Sequence, residues 1–275
     1  MHWQTTRFRI DLRQPRVMGI VNLTPDSFSD GGRHDSPGAA LRHCEQLLRE
    51  GADVLDLGGE STRPGARPPP PGEEARRVLP VLRHALALGV PVSLDTSDPA
   101  LMQSALDLGV DIVNDVRSLR RPGALELLAS HARAGVCLMH LRGEPDTMAR
   151  EAVYDDVVAA VMAELRQRHD EVLAAGVAAE RIVLDPGIGF AKTAAHNLEL
   201  LRRQRELLAL PAPLLVGWSR KGTIGQVTGR AVQDRLAGSV AAALLAVERG
   251  ARIVRVHDVA ATVDALKLWR AATAD

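Results

Sequence analysis

Polar residues recur at regular places in this 275-residue sequence. Each of eight short, apolar, β-branched runs ends in side chains able to accept or donate hydrogen bonds, or is followed at once by them. In chain order these are Asn22; Asp56, then Glu60-Ser61-Thr62-Arg63; Asp95; Asn114 and Asp115; His140; Asp185; Ser219 and Lys221; Arg255 and His257. Singly, a strand-end Asp or Asn is most often a turn former or a helix cap. Eight in succession point to a converging polar pocket, because buried polar groups need partners. The set divides by chemistry. Asp95, Asn114 and Asp185 offer acceptors and one amide donor, which suit a flat heterocycle showing adjacent N–H groups, since a carboxylate accepts two parallel bonds. Asn22, Thr62, Arg63, Arg255 and His257 are cations or neutral donors and suit a phosphate or pyrophosphate, with a divalent cation bridging its oxygens. No pair of His or Cys has the spacing of a zinc site.

The runs that must position these groups read as strands at 16–22, 53–58, 91–95, 111–115, 135–140, 181–185, 213–218 and 252–257, each followed by a segment of helical period. Ser36-Pro37 and Asp98-Pro99 place a capping side chain before a proline at the first helical position. Gly51, Gly89, Gly109, Gly176 and Gly250 fall where helices must stop. Eight β-then-α units with no linker-like stretch predict an α/β fold, a single closed (β/α)₈ TIM barrel over 16–275, with all eight polar ends on one face. A doubly wound open sheet is the alternative. It lacks the dinucleotide fingerprint, since Gly187-Ile188-Gly189 is followed by Lys192 where the third glycine belongs. Residues 1–15 read as a short extension covering the barrel floor. "RPGARPPPPG" (63–72) reads as a stiff irregular loop, and "DRLAGSVAAALLAVERG" (234–250) as a small-residue helix packed closely on a neighbour.

Composition narrows the partners. Lys+Arg and Asp+Glu are equal at 34 each, so no bulk charge argues for nucleic acid or an anionic membrane. Cys44 and Cys137 sit in apolar settings and read as small buried hydrophobes. No window approaches the length of a membrane span and no secretory h-region opens the chain, so a cytoplasmic protein is expected.

The motif series "MGIVNLTPDSFSDGG" (18–32), "DLGGESTRPGA" (56–66), "DTSDP" (95–99), "NDV" (114–116), "LMH" (138–140), "LDPGIGFAKT" (184–193), "GWSRKGTIG" (217–225) and "RVHDVA" (255–260) resembles that of the bacterial dihydropteroate synthase family, in order and over nearly the whole chain. The resemblance implies a transferase of folate biosynthesis. It would join 4-aminobenzoate to (7,8-dihydropterin-6-yl)methyl diphosphate and release pyrophosphate with Mg²⁺ present. It further implies that Asp95, Asn114, Asp185 and Lys221 hold the pterin, that Thr62, Arg255 and His257 hold the diphosphate, and that Asn22 contacts the metal. Phe28, Asp30, Thr62, Arg63, Pro64, Phe190, Ser219 and Lys221 match positions that close over the diphosphate and 4-aminobenzoate, which is also the sulfonamide site. A homodimer is implied as well. One position departs from the pattern: the family's serine after the lysine is Gly222 here.

The implied reaction displaces a multiply charged leaving group from a methylene on an electron-rich ring, so cations should carry much of the catalysis. The expectation is a dissociative path drawn by Arg255, His257, Asn22 and the metal, with attack by an aniline bounded by Phe190, Lys221 and Ser219. Loop 23–32 would act as a lid, Gly31-Gly32 letting it swing and Phe28 and Asp30 being its working side chains. Asp56 is expected to fix the Glu60–Arg63 loop, and Asn114 rather than Asp115 to face inward. His140 and Met139 are expected to be pocket wall and packing rather than catalysts, and His34, His43, His84, His131, His169 and His196 surface or helix-face residues without roles. The rival readings are weaker. Lys221 follows a turn rather than lying in a desolvated strand, against a Schiff-base aldolase. Ser219 and Lys221 are spaced S-x-K, against an acyl-transfer dyad. A methyltetrahydrofolate-binding module would need no diphosphate site, and a silent paralogue would not keep Asn22, Thr62, Asp185, Lys221, Arg255 and His257 together.

Overall fold

The computed structural model describes residues 1–23, 36–60, 69–70, 72–144, 146–148 and 150–273, with the backbone alone at 36 and 37. The chain begins with an antiparallel hairpin, β1 (His2–Gln4) and β2 (Arg9–Asp11). Eight parallel strands follow: β3 (Arg16–Asn22), β4 (Val54–Gly58), β5 (Val92–Asp95), β6 (Ile112–Asp115), β7 (Gly135–Met139), β8 (Ile182–Asp185), β9 (Leu215–Val216) and β10 (Ile253–Val256). Each of β3 to β7 pairs with the next, and β10 pairs with both β3 and β9. Between β8 and β9 the ring closes by a parallel bridge, Leu184 to Leu214, with the Leu184 N–H donating to the Pro213 carbonyl at 2.9 Å. The result is the (β/α)₈ barrel. β9 is shorter than the expected 213–218 by two residues at each end, and Pro213 at its start brings no N–H to the ladder.

Around it run α1 (Ser36–Arg49), α2 (Glu73–Leu86), α3 (Pro99–Asp107), α4 (Ala124–Ser130), α5 (Val157–Ala174), α6 (Ala194–Arg202), α7 (Gly222–Thr228), α8 (Leu236–Glu248) and α9 (Val259–Thr273). Their starts have local causes. Asp98 accepts from the Ala100 N–H at 3.0 Å with Pro99 at the first turn, and Asp156 accepts from the Val158 and Ala159 N–H groups at 2.9 and 3.0 Å. The five glycines expected as helix stops all take positive φ, from 75° at Gly89 to 101° at Gly176. The small-residue segment 234–250 holds the single helix α8, and a 3-10 turn, Val232–Asp234, leads into it. Among the described residues no helix is long and apolar enough to cross a membrane.

Strand alternation sorts the interior. Met18, Val54, Ile112, Cys137, Val183, Leu215 and Ile253 point into the floor of the barrel, where Trp3, Ile10 and Leu12 of the hairpin plug it. Trp3 Nε1 donates to the Arg181 carbonyl at 2.9 Å. Gly135 is required here, since a Cβ would lie 3.0 Å from both Trp3 Nε1 and the Gln4 carbonyl. The opposite strand faces, including Leu55, Leu57, Leu94 and Leu138, pack against the helices in the main core. Two positions further along the same inward register stand Asp56, Asn114, Asp185 and Arg255. The pattern that plugs the floor therefore lines the mouth with polar groups.

Candidate active site

Arg255, on β10, occupies the middle of the mouth. Its Nε donates to Asp56 Oδ2 at 2.6 Å and its Nη2 to Asp95 Oδ2 at 2.5 Å. One guanidinium thus bridges carboxylates on β4 and β5, and the pairing holds its pKa above the ordinary value despite burial. Asn114 Nδ2 donates to the same Asp56 Oδ2 at 3.3 Å. Asp56 is fully buried, and residues 61–63 of the loop it was expected to fix lie outside the described residues. Asp56 orients Arg255 and Asn114, while Glu60 is held by Arg117 at 3.1 Å, which also takes Glu144 at 2.6 Å. Burial pushes the Asp95 carboxyl up, and Arg255 pulls it back. Asn114 lies on the inward face, as alternation requires. Its neighbour Asp115 turns out of the barrel, accepting from Ser97 Oγ, from the Arg117 N–H at 2.8 Å and from the Leu119 N–H at 2.6 Å.

Asp185 closes β8, with its Oδ1 accepting from the Gly187 N–H at 2.7 Å. Burial raises its pKa and that hydrogen bond opposes the rise. The loop behind it is fastened by a residue to which sequence reasoning gave no role. Lys192 is buried, and its Nζ lies 2.8 Å from His140 Nδ1, 3.0 Å from the Phe190 carbonyl and 3.1 Å from the Gly187 carbonyl. Burial lowers the Lys192 pKa to about 7. His140 accordingly takes the packing part of its expected role. It is buried between Lys192 and Glu164 Oε2, 3.0 Å away, with burial lowering its pKa to about 4. Met139 packs with Val116, Met148, Phe190 and Ala191. His169 lies on the buried face of helix α5.

The loop after β9 carries Ser219, Arg220 and Lys221, and it is pinned at several points. The Arg220 N–H donates to Ser239 Oγ at 2.9 Å, its guanidinium pairs with Asp258 at 2.5 Å, and Ser219 Oγ accepts from the His257 N–H at 3.1 Å. Arg220 takes φ 59° and Ala191 φ 47°, left-handed conformations costing about 1–3 kcal/mol each for non-glycine residues. Both strained residues belong to the loops that bring Phe190 and Lys221 together. Lys221 Nζ stands 4.2 Å from the centroid of the Phe190 ring, a cation–π contact, and burial lowers its pKa to about 8. Gly222 opens α7 and a Cβ there would meet nothing within 4 Å, so the serine of the family pattern would fit.

Asn22 lies at the mouth end of β3, paired with Gly58 and partly buried. The described residues therefore bring together Asn22, Asp95, Asn114, Asp185, Phe190, Ser219, Lys221, Arg255 and His257 at one end of the barrel. Phe28, Asp30, Thr62, Arg63 and Pro64, with the lid expected over 23–32, fall on or within segments outside the described residues. Among the described residues there is no group of three or more His, Cys, Asp or Glu placed to hold a metal.

Comparison with known proteins gives a consistent result. Residues 18–257 match the model of the pterin binding enzyme family. The dihydropteroate synthase of Neisseria meningitidis serogroup B is 56% identical over 275 residues, covering 98% of this chain and 96% of the relative. Among solved structures, the Xanthomonas albilineans dihydropteroate synthase with 4-aminobenzoic acid superposes with a TM-score of 0.92 at 49% identity, covering 97% of this chain and 96% of the other. The same enzyme in complex with 7,8-dihydropteroate gives 0.92 at 46% identity, with full coverage of both chains.

Proposed function

The chain belongs to the dihydropteroate synthases, a family of pterin-binding transferases, and from that premise we propose how its own residues carry the reaction between (7,8-dihydropterin-6-yl)methyl diphosphate and 4-aminobenzoate. The observation that carries the reading is the Asp56–Arg255–Asp95 bridge, which places a guanidinium between a heterocycle-binding carboxylate and the open mouth. Asp95, Asn114, Asp185 and Lys221 hold the pterin. The pterin's N–H groups become the partners of the carboxylates, and Arg255 turns its charge toward the diphosphate while Asp56 keeps its stem in register. His257, with Thr62, completes the anion site.

The C–O bond to the diphosphate breaks with its electron pair leaving on pyrophosphate, and the ring nitrogen lone pair spreads the positive charge left on the methylene. Arg255 and His257 stabilise the charge that develops on the leaving oxygens. The aniline nitrogen then forms the C–N bond and gives up one proton to solvent. Phe190 and Lys221 wall its site. Phe28, Arg63, Pro64 and Asp30 would complete the enclosure.

A Mg²⁺ held mainly by substrate phosphates and water needs only one or two protein oxygens. The Asn22 amide at the mouth end of β3 fits that requirement better than a dedicated carboxylate cage, of which the described residues hold none. When bound, the ion supplies neutralisation of the diphosphate oxygens. Two further parts of the reading concern assembly and place. Val227, Val232, Leu236 and Leu245 lie exposed along α7, the 3-10 turn after it and α8, and support a homodimer through that side. The free thiols Cys44 and Cys137 accord with the cytoplasm.

The test is formation of dihydropteroate and pyrophosphate by the purified chain, with and without Mg²⁺, alongside positional isotope exchange in recovered diphosphate substrate. Metal-dependent product with bridge-to-nonbridge scrambling supports the reading. Product without scrambling, under conditions where substrate can return, removes the dissociative path. Pterin binding without product removes the catalytic assignment.

A further inference from the structure

Resting on the diphosphate reading above, we propose that Ser219 is a positioning residue for His257: its hydroxyl fixes the imidazole in the tautomer with the proton on Nε2, so that His257 offers an N–H to the leaving diphosphate.

The geometry is specific. Ser219 Oγ lies 3.1 Å from the His257 backbone N and 3.0 Å from His257 Nδ1. The backbone N–H can only donate, so it takes one lone pair of the hydroxyl oxygen. The hydroxyl proton is then free to point at Nδ1, which accepts it. A histidine's tautomer is set by the bond its other ring nitrogen makes. With Nδ1 occupied as an acceptor, Nε2 must carry the proton. The reverse arrangement would aim a bare nitrogen lone pair at phosphate oxygens.

The surroundings keep the ring neutral. Burial, then Arg255, lower the His257 pKa to about 3. Arg220 and Lys221 add to this, and Asp258 opposes it. Within the mouth His257 is therefore a hydrogen-bond donor rather than a cation, and its donor capacity depends on which nitrogen bears the single proton. Ser219 is itself held. It is buried, and the loop carrying it is fixed through Ser239 and Asp258 by Arg220 in its left-handed conformation. In this arrangement the hydroxyl proton goes to His257 Nδ1 and is not offered to 4-aminobenzoate.

The experiment combines imidazole ¹⁵N NMR of the whole protein near neutral pH with steady-state kinetics. Wild type should show Nδ1 unprotonated and Nε2 protonated. Ser219→Ala should shift His257 toward a mixture of tautomers and raise the KM for the dihydropterin diphosphate roughly tenfold, the lower end of what losing an orienting partner of a working histidine costs. The KM for 4-aminobenzoate should stay within about twofold, and Ser219→Thr should restore both signals. Ser219→Cys, with its weak S–H donor, should repeat the alanine shift and serves if the alanine variant does not fold. Nδ1 protonated in wild type would overturn the proposal. So would a Ser219→Ala effect confined to the 4-aminobenzoate KM. A wild type without turnover would instead count against the function itself, while the NMR spectrum still reported the tautomer.

Discussion

At the floor of the barrel Trp3, Leu12, Met18, Val54 and Ile253 fill the interior with fully buried apolar side chains, while two residues along the same strands Asp56, Asn114, Asp185 and Arg255 fill it with charge and amide. Backbone geometry at the two ends is the same, so the difference lies in what burial does to each set. Apolar burial at the floor contributes about 1.5–3 kcal/mol for each large side chain. Burial at the mouth drives Asp95 and Asp185 up and Lys221 and Lys192 down, and only mutual pairing offsets it. The mouth also carries left-handed Ala191 and Arg220, whereas at the floor, among the described residues, only glycines take that conformation. One end of the fold supplies stability and the other uses it.

The largest effect should come from cutting the bridge that unites the mouth. Arg255→Gln should lower kcat/KM for the dihydropterin diphosphate by on the order of 10²–10³-fold. It should also cost about 3–5 kcal/mol of stability, because Asp56 and Asp95 lose their shared cation. Asp95, already raised by burial, then rises further. A group whose folded pKa is raised contributes stability at low pH that is lost as pH climbs; wild-type Asp95 loses its share by about pH 7 and the variant goes on losing it above, so the variant's Tm deficit should grow as pH rises from about 7 toward about 9. Thermal melts across that range check the sign. At the floor, Trp3→Ala should cost about 3–5 kcal/mol and leave kcat/KM near wild type below the melting range. A matching loss of activity would show that the two ends are not separable. The smallest effect should be at Gly222. Gly222→Ser places a side chain in open space, so Tm should hold, and one added hydrogen bond should lower the 4-aminobenzoate KM by at most about fivefold.

The sequence made the barrel legible because the apolar runs are short, separate and ended by polar residues. All eight strands lie within the expected spans, apart from one- or two-residue trims at their ends and the larger loss around Pro213. The inward choice of Asn114 over Asp115 followed from alternation alone. What stayed hidden was partnership across the fold. Asp56 meets Arg255 from 199 positions away, and Lys192 meets His140 from 52, distances over which local pattern carries no signal. The one available clue to Lys192 was its place where a third glycine would stand, in a loop turning too tightly for its polar carbonyls to reach water. The contact between Ser219 and His257 stayed hidden for a related reason: the motif named the loop, but His257 lies past the next strand, 38 positions away.

The most direct test of the division between floor and mouth is Lys221→Met, read for both melting and turnover. Burial lowers the Lys221 pKa to about 8, so its charge costs stability below that pH, and the cost is relieved as pH rises toward the unfolded value. At neutral pH the methionine variant should keep or raise Tm while kcat/KM falls by about 100-fold or more. A fall in Tm of several degrees with kcat/KM preserved would contradict the account, because Lys221 would then serve the fold rather than the reaction.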